Sequence, residues 1–492
     1  MQHKRVDVFQ IKVCAGESLT GTIELMKSPQ TLPPTGQGTS KGVALLIASM
    51  SSFLTPFTGA SINIALPSIG EQFKLDAVML SWVATIYLLA AAMFLVPFGR
   101  LADISGRKRI YRIGILIDLI GSLLCAFSPN GNWLLIFRAM QGLGGAMIFG
   151  TGVAILTSVF PPQERGKALG WNVGATYLGL SLGPLAGGFF TQYLGWRGIF
   201  YFNAFLALVI SIMALWKLKG EWAEAKGEQF DWPGALIYSL GLVAIIYAFS
   251  VFPALWGIWL ILAGVLGLGA FVWWEMRQQY PVLHINLFRN NTVFAMSNLA
   301  ALINYSATYA VTYLLSLYLQ YIKGFQPEHA GLVLIAQPVM MAICSPLAGT
   351  LSDRFEPRVM ASLGMILTTF GLVMLIFLKA DTGMLYLILC LIVLGIGFGL
   401  FSSPNTNAVM GSVERRQYGV AAGMLGTMRL TGQAFSLGTT LLLFALFIGR
   451  VQITVDNYPQ FLKSMQTAFI IMSVLCFLGI FASIARGKAH NN

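Results

Sequence analysis

Charge is scarce in this 492-residue sequence: 10% of its residues are Asp, Glu, Lys or Arg, while 56% are hydrophobic. Soluble domains carry about 25% charged residues, so a soluble fold is excluded and a polytopic helical membrane protein is indicated. Histidine is rarer still. The four present, His3, His284, His329 and His490, fall in tails, loops or at the edge of an apolar run, leaving no imidazole at membrane depth for haem ligation, metal binding or a proton-pump relay. Cys125, Cys344, Cys390 and Cys476 lie inside apolar runs and Cys14 in the amino-terminal stretch, so there is no pair for an extracellular disulfide and no metal-ligand spacing. No catalytic residue, metal or cofactor is therefore expected, and a membrane enzyme or respiratory subunit is a poor fit.

What the sequence does hold is a series of apolar runs of spanning length, at about 43–67, 78–98, 110–128, 132–158, 166–190, 196–217, 232–252, 254–275, 292–319, 329–351, 358–378, 384–402, 419–447 and 462–485. These are fourteen expected transmembrane helices. The net charge of +12 reports topology rather than a nucleic-acid partner. Of the 31 basic residues, Lys74, Arg197, Lys323, Lys379, Arg450 and Lys463 fall on one side of this arrangement and Arg138 and Arg429 within it; all others fall on the side of the amino terminus. Such a bias places both termini in the cytoplasm, as in a multi-pass protein of the plasma membrane. Residues 1–41 are polar, carry Pro29, Pro33 and Pro34 and contain no apolar core, so they read as a disordered cytoplasmic tail rather than a signal peptide, with Met26 a second candidate start.

Three patterns occur in fixed order between residues 99 and 188. A charged turn, Gly99-Arg100-Leu101-Ala102-Asp103-Ile104-Ser105-Gly106-Arg107-Lys108-Arg109, joins two apolar runs. Leu134-x3-Arg138-x2-Gln141-Gly142-x-Gly144-Gly145-Ala146 puts an arginine inside another, and Gly170-x8-Gly179-x3-Gly183-Pro184-x2-Gly187-Gly188 gives small residues at helical spacing with a Gly-Pro break. The charged turn recurs 250 residues on as Gly349-x-Leu351-Ser352-Asp353, followed by Arg354 and Arg358. That shift covers eight helices, which suggests two six-helix bundles with two extra spans between them. The expected fold is all-α: a tail (1–41), an amino-terminal six-helix bundle (42–220), a linker with two additional helices (221–291) and a carboxy-terminal six-helix bundle with a short tail (292–492). The three patterns resemble the loop 2–3, fourth-span and fifth-span motifs of the major facilitator superfamily, and fourteen spans resemble its drug:proton antiporter group; the likeness covers residues 42–485.

The resemblance implies secondary active export of small amphipathic or lipophilic compounds by proton antiport and alternating access. Expected partners are a small-molecule substrate, protons and the lipid bilayer, with an accessory export protein optional, no nucleic acid, and a monomer as the working unit. A specific metabolite, lipid or peptide is the alternative cargo, and a non-transporting sensor or scaffold the alternative class. By resemblance Gly99, Asp103, Gly106 and Arg107 form a conformational latch, Asp103 facing the amino end of the span that begins near Gly419, with Asp353 a weaker second copy; attraction of a carboxylate to a helix amino terminus makes this physically reasonable. Gly170, Gly179, Gly183, Pro184, Gly187 and Gly188 are by resemblance the antiporter motif, and independently they are residues that let membrane helices approach closely.

Asp118, Arg138 and Arg429 are the three residues charged at neutral pH that lie deep in spans. Each costs about 2.5–3.5 kcal/mol at mid-membrane, which makes each a functional candidate. Asp118, the single acid well inside a span, is the expected proton site, and Arg138 by resemblance tunes it. Helix rise puts Asp118 about 12 Å from one end of its span and Arg138 about 9 Å from the other end of the next, which argues against direct contact. The first span departs from the group's Asp-x-Thr-x-x-Asn-x-Ala-Leu-Pro pattern, since Thr58 stands where that aspartate would be. Asn63, Tyr87, Gln141, Asn298, Tyr305, Tyr309, Tyr313 and Arg429 are expected to line the substrate cavity, the tyrosines offering flat faces for apolar or cationic groups.

Overall fold

The computed structural model describes residues 39–161, 164–283, 285–352, 355–414 and 417–487. Asp353, Cys14 and most of the expected tail lie outside the described residues. Sequence signals set where the helices begin. Ser40, Asp76, Asn130, Asp231 and Asn291 each accept a hydrogen bond from a backbone N–H two or three residues into the helix that follows, capping donors that lipid cannot satisfy. These are α1 (Lys41–Phe73), α2 (Ala77–Ser105), α4 (Gly131–Val159), α7 (Trp232–Val251) and α10 (Thr292–Thr308). The others are α3 (Arg107–Ala126), α5 (Arg165–Tyr193), α6 (Arg197–Trp216), α8 (Trp256–Glu275), the short α9 (Ile285–Asn290), α11 (Ala310–Leu317), α12 (Pro327–Leu334), α13 (Ala336–Leu351), α14 (Pro357–Ile376), α15 (Met384–Gly411), α16 (Tyr418–Phe447) and α17 (Tyr458–Ala485).

Twelve described helices are long and apolar enough to cross a membrane by length and composition, not the fourteen expected. The two expected spans that miss this measure have identifiable reasons. The run at 110–128 falls on α3, whose first turns hold Arg107, Lys108, Arg109 and Arg112, with Asp118 deeper in. The run at 292–319 is divided at Tyr309 into α10 and α11, 17 and 8 residues long, and ends in a π-helical turn at Tyr318–Ile322.

Helix α1 packs along α5, α2 along α4, and α3 along α4 and α6; in the second half α13 and α14 pack on α15, α17 on α14, and α10 on α16 and α17. The two sets meet through α2 against α16 and through α5 against α12 and α13. Helices α7 and α8 form a pair, of which α7 lies against α2 and α16. Tyr238 and Ser239 of α7 donate to the Ala92 and Met93 carbonyls of α2 at 3.2 and 3.0 Å. Helix α8 is the outermost element: Trp259 and Leu266 are each 71% exposed, as befits side chains that face lipid. Lys41, Gly106, Arg165 and Lys217 mark one end of the assembly, the basic end.

Candidate functional site

The second sequence pattern is a packing device that assembles a polar cluster. A Cβ at Gly142 would sit 2.3 Å from the Tyr87 carbonyl, one at Gly144 2.7 Å from the Asp118 amide nitrogen, and one at Gly145 2.8 Å from the Tyr87 hydroxyl. Bare glycines thus let α4 close onto α2 and α3 together. Arg138, fully buried, then lies over the Tyr87 ring at 4.6 Å and donates to the Val83 carbonyl at 3.2 Å and to Gln141 Oε1 at 2.6 Å. Gln141 Nε2 donates to Ser122 Oγ at 2.8 Å, and Asn203 Nδ2 donates to the same oxygen at 2.6 Å and to Asp118 Oδ2 at 3.3 Å. Ser122 completes its set by donating to the Asp118 carbonyl at 2.7 Å, and Thr58 donates to Asn203 Oδ1. Asp118 and Arg138 are therefore joined through Asn203, Ser122 and Gln141 rather than by an ion pair, in keeping with their different depths. A carboxylate, a guanidinium and four hydrogen-bonding relays from α1, α3, α4 and α6 form one buried network.

The charged turn is docked by the α6–α7 linker. Arg107 lies 2.7 Å from Asp103 Oδ1, makes a two-pronged pair with Glu224 at 2.7 and 2.9 Å, and donates to Ser158 at 2.7 Å. Lys108 N donates to Glu221 Oε1 at 2.9 Å, Arg107 N to the Trp222 carbonyl at 2.8 Å, and Ala225 N to the Asp103 carbonyl at 3.0 Å. Arg100 pairs with Glu228. Gly106 has φ +110°, and a Cβ there would meet Glu221 at 2.5 Å, so both conformation and space call for glycine. The carboxylate of Asp103 thus bonds Arg107 on its own turn. The amino end of α16 instead lies by α4, a Cβ at Gly419 coming 3.9 Å from Thr157 Oγ1.

The fifth-span glycines have two environments. Gly170 and Gly174 face open space, whereas a Cβ at Gly179, Gly183 or Gly187 would strike α1 at 2.4–2.6 Å. At Gly188 it would come 2.6 Å from the Pro327 carbonyl, and at Gly331 2.3 Å from that of Pro184. Helix α5 is therefore tight to α1 and α12 away from the basic end and free toward it.

That open space is a cavity of about 960 Å³ between the two helix sets. Its walls reach Gly42 and Leu45 at the start of α1, Gly166 and Gly170 on α5, Met410 on α15 and Tyr418 on α16, all near the basic end. Toward the other end the sets are bolted together. Ser316 donates to the Asn63 carbonyl at 2.7 Å, Gln320 to that of Ile64 at 2.9 Å, Ser81 and Tyr313 share a hydrogen bond of 2.8 Å, and Ala77 N donates to the Val451 carbonyl at 2.9 Å. The cavity wall is apolar around Phe149, Trp171 and Leu425, with polar groups at Asn172, Ser345, Thr406 and Asn407. Tyr177 of α5 donates to Ser402 of α15 at 2.7 Å, bridging the sets. Arg429, the one charged residue among the described lining residues, donates to Thr406 at 2.9 Å and lies 5.6 Å over the Tyr305 ring.

The Major Facilitator Superfamily model matches residues 48–274 and 297–490. The chain belongs to that superfamily. It is 30% identical over 455 residues to the riboflavin transporter RibZ of Clostridioides difficile (strain 630), a match covering 90% of this chain and 97% of that protein. It is also 30% identical over 399 residues to the multidrug resistance protein Stp of Mycobacterium tuberculosis (strain ATCC 25618 / H37Rv), covering 79% and 73%. Its fold is similar to that of a bacterial homologue of the human lysosomal transporter Spinster, with a TM-score of 0.66, 15% identity, and coverage of 91% of this chain and 97% of that one. The chain is a multi-pass membrane transporter and not an enzyme.

Within this superfamily member, the eight residues expected around the substrate scatter. Arg429 lines the large cavity. Asn63, Tyr305 and Tyr309 line a separate recess of about 80 Å³ deeper in, with Gln337 and Phe398. Tyr87 and Gln141 are buried in the α4 network, Tyr313 is part of the closed end, and Asn298 is buried with its amide donating to the Phe294 carbonyl at 2.9 Å. The tyrosines fail to share one wall because α10 breaks at Tyr309. Sequence reasoning missed Tyr177, Ser402, Thr406 and Asn407. A signal existed for three of them: Ser402-Ser403-Pro404-Asn405-Thr406-Asn407 is a polar run inside an otherwise apolar span.

Proposed function

We propose that this transporter exports small amphipathic or lipophilic compounds by proton antiport, with alternating access between the two helix sets. The observation that carries this reading is the cavity, roomy and mostly apolar, reaching one end while the other is held by interhelical bonds. Residues 42–220 and 292–492 act as the two rocking bundles, 221–291 supplies an additional helix pair, and the fourteen-span count follows if α3 and the joined α10–α11 also cross the bilayer. The packing of α3 along α4 and α6, and of α10 along α16 and α17, supports that count. In this reading the basic end and both termini are cytoplasmic, the protein resides in the plasma membrane, and it works as a monomer on a small molecule and protons, with an accessory export protein optional and no nucleic acid involved. The Gly99–Arg109 turn, held by Glu224 and Glu221, is the latch of the cytoplasmic side.

Asp118 is the coupling acid and Arg138 its distant counter-charge. A proton entering down 100 mV supplies about 2.3 kcal/mol, enough for about a fiftyfold substrate gradient. In proteoliposomes Asp118→Asn is expected to abolish substrate movement driven by an imposed pH gradient while exchange of substrate down its own gradient persists. Proton flux equal to wild type in the variant overturns the assignment. The similarity to a riboflavin transporter favours a second reading in which the cargo is one specific flat metabolite; saturable transport of a single compound from a chemically mixed panel would select it.

A further inference from the structure

We infer that the cargo is an amphipathic organic anion, a flat apolar body bearing one carboxylate, sulfonate or phosphate that docks on Arg429; this rests on the transporter reading above. Arg429 lies eleven residues into α16, about 16 Å from its start, which is close to the middle of a hydrocarbon core of about 30 Å. At that depth a guanidinium is costly unless a counter-charge meets it. Among the described residues none does: Arg429 forms no ion pair with them, and the described lining of the cavity contains no Asp or Glu.

Its hydrogen bonding is also incomplete. One N–H is taken by Thr406, while the buried Nε has no partner among the described residues. The fork is therefore held from one side by Thr406 and backed by the Tyr305 ring, with donors left over and a cavity of about 960 Å³ beside it. An oxyanion that presents two oxygens side by side is the group such a fork receives, in a paired arrangement that an ammonium on lysine reproduces poorly. Phe149 and Trp171 in the same lining supply apolar surface for the body. A lipophilic cation meets like charge at the apex and no carboxylate among the described lining residues, and the face of Tyr305 that it would seek already carries Arg429.

Three probes with one body separate the possibilities: 1-pyrenebutyrate, 1-pyrenebutanol and 1-pyrenebutyltrimethylammonium, titrated against the purified full chain by energy transfer from tryptophan to pyrene. The butyrate is expected to bind about tenfold or more tighter than either of the others, Arg429→Gln to erase that preference, and Arg429→Lys to keep part of it. Equal or tighter binding of the ammonium, no saturable binding of the butyrate, or an undiminished preference in Arg429→Gln overturns the assignment. The headgroup order in the wild type decides the matter even if the variant fails to fold. Flux of the probes in proteoliposomes is read separately: transport without butyrate preference sinks the anion assignment alone, whereas tight butyrate binding with no flux of any probe sinks the transporter reading instead.

Discussion

Thr58 and Asp118 stand on different helices, yet both bond to Asn203. The position where the antiporter pattern has an aspartate is thus one side chain away from the acid this chain does carry. If the cluster rather than the position is what couples to protons, the acid can be moved within it. Thr58→Asp combined with Asp118→Asn is expected to recover part of the proton-driven transport that Asp118→Asn loses, measured as substrate movement under a pH gradient. No recovery in a well-folded double variant would show that coupling needs the carboxylate on α3. Asp118 and Arg138 were legible in the sequence because charge inside an apolar run is costly and therefore conspicuous. Ser122 and Asn203 were not, because a lone polar residue in a span is usually ordinary glue between helices, and only their convergence on one oxygen distinguishes them.

Helix α4 works as a spacer made of absent side chains, and α5 uses the same device over only part of its length. This predicts opposite responses to the same substitution. Gly144→Leu forces a side chain into the backbone of α3 beside Asp118 and should cost about 1–3 kcal/mol or more, read as loss of monodisperse protein and a lower unfolding midpoint. At Gly170 a Cβ meets nothing within 4 Å, so Gly170→Leu should leave assembly unchanged while narrowing the cavity, read as altered transport at normal yield. Equal damage at both sites would show that α5 is packed along its whole length. The α6–α7 linker is the other lesson at this scale. Lys217–Asp231 reads in sequence as a mixed-charge connector, but Glu224 and Glu228 pair with Arg107 and Arg100 of the turn it covers, and Glu221 accepts from the Lys108 backbone N–H. Charge pattern alone gives no partner, since many surfaces of opposite sign are available to a loop.

The two helix sets hold together away from the basic end and part toward it, so locking the closed end should trap the protein with its cavity still accessible. Ala77 and Val451, joined by a backbone hydrogen bond across the sets, offer a site for a cross-link. Oxidised Ala77→Cys/Val451→Cys should lose about tenfold or more of its flux, regain it on reduction, and keep substrate binding from the basic side throughout, as expected when one of two discrete packings is frozen. Unchanged flux in the oxidised form would mean that this contact does not open during transport.

Hydropathy, glycine spacing and the asymmetry of basic residues by themselves determined that this is an all-helical membrane protein of the superfamily to which it belongs. They are properties of single helices, set by the cost of exposing polar groups to lipid and by the spacing of residues along one helix, and both can be read from sequence. Which polar residues face one another was decided only by the tertiary structure. Arg429 and Arg138 are alike in sequence, each an arginine in an apolar run, yet packing gives Arg138 a hydrogen-bond network within the first helix set and turns Arg429 toward a cavity with no acid among its described lining residues. The difference lies in which helices α4 and α16 pack against, which is fixed by contacts between helices far apart in the chain.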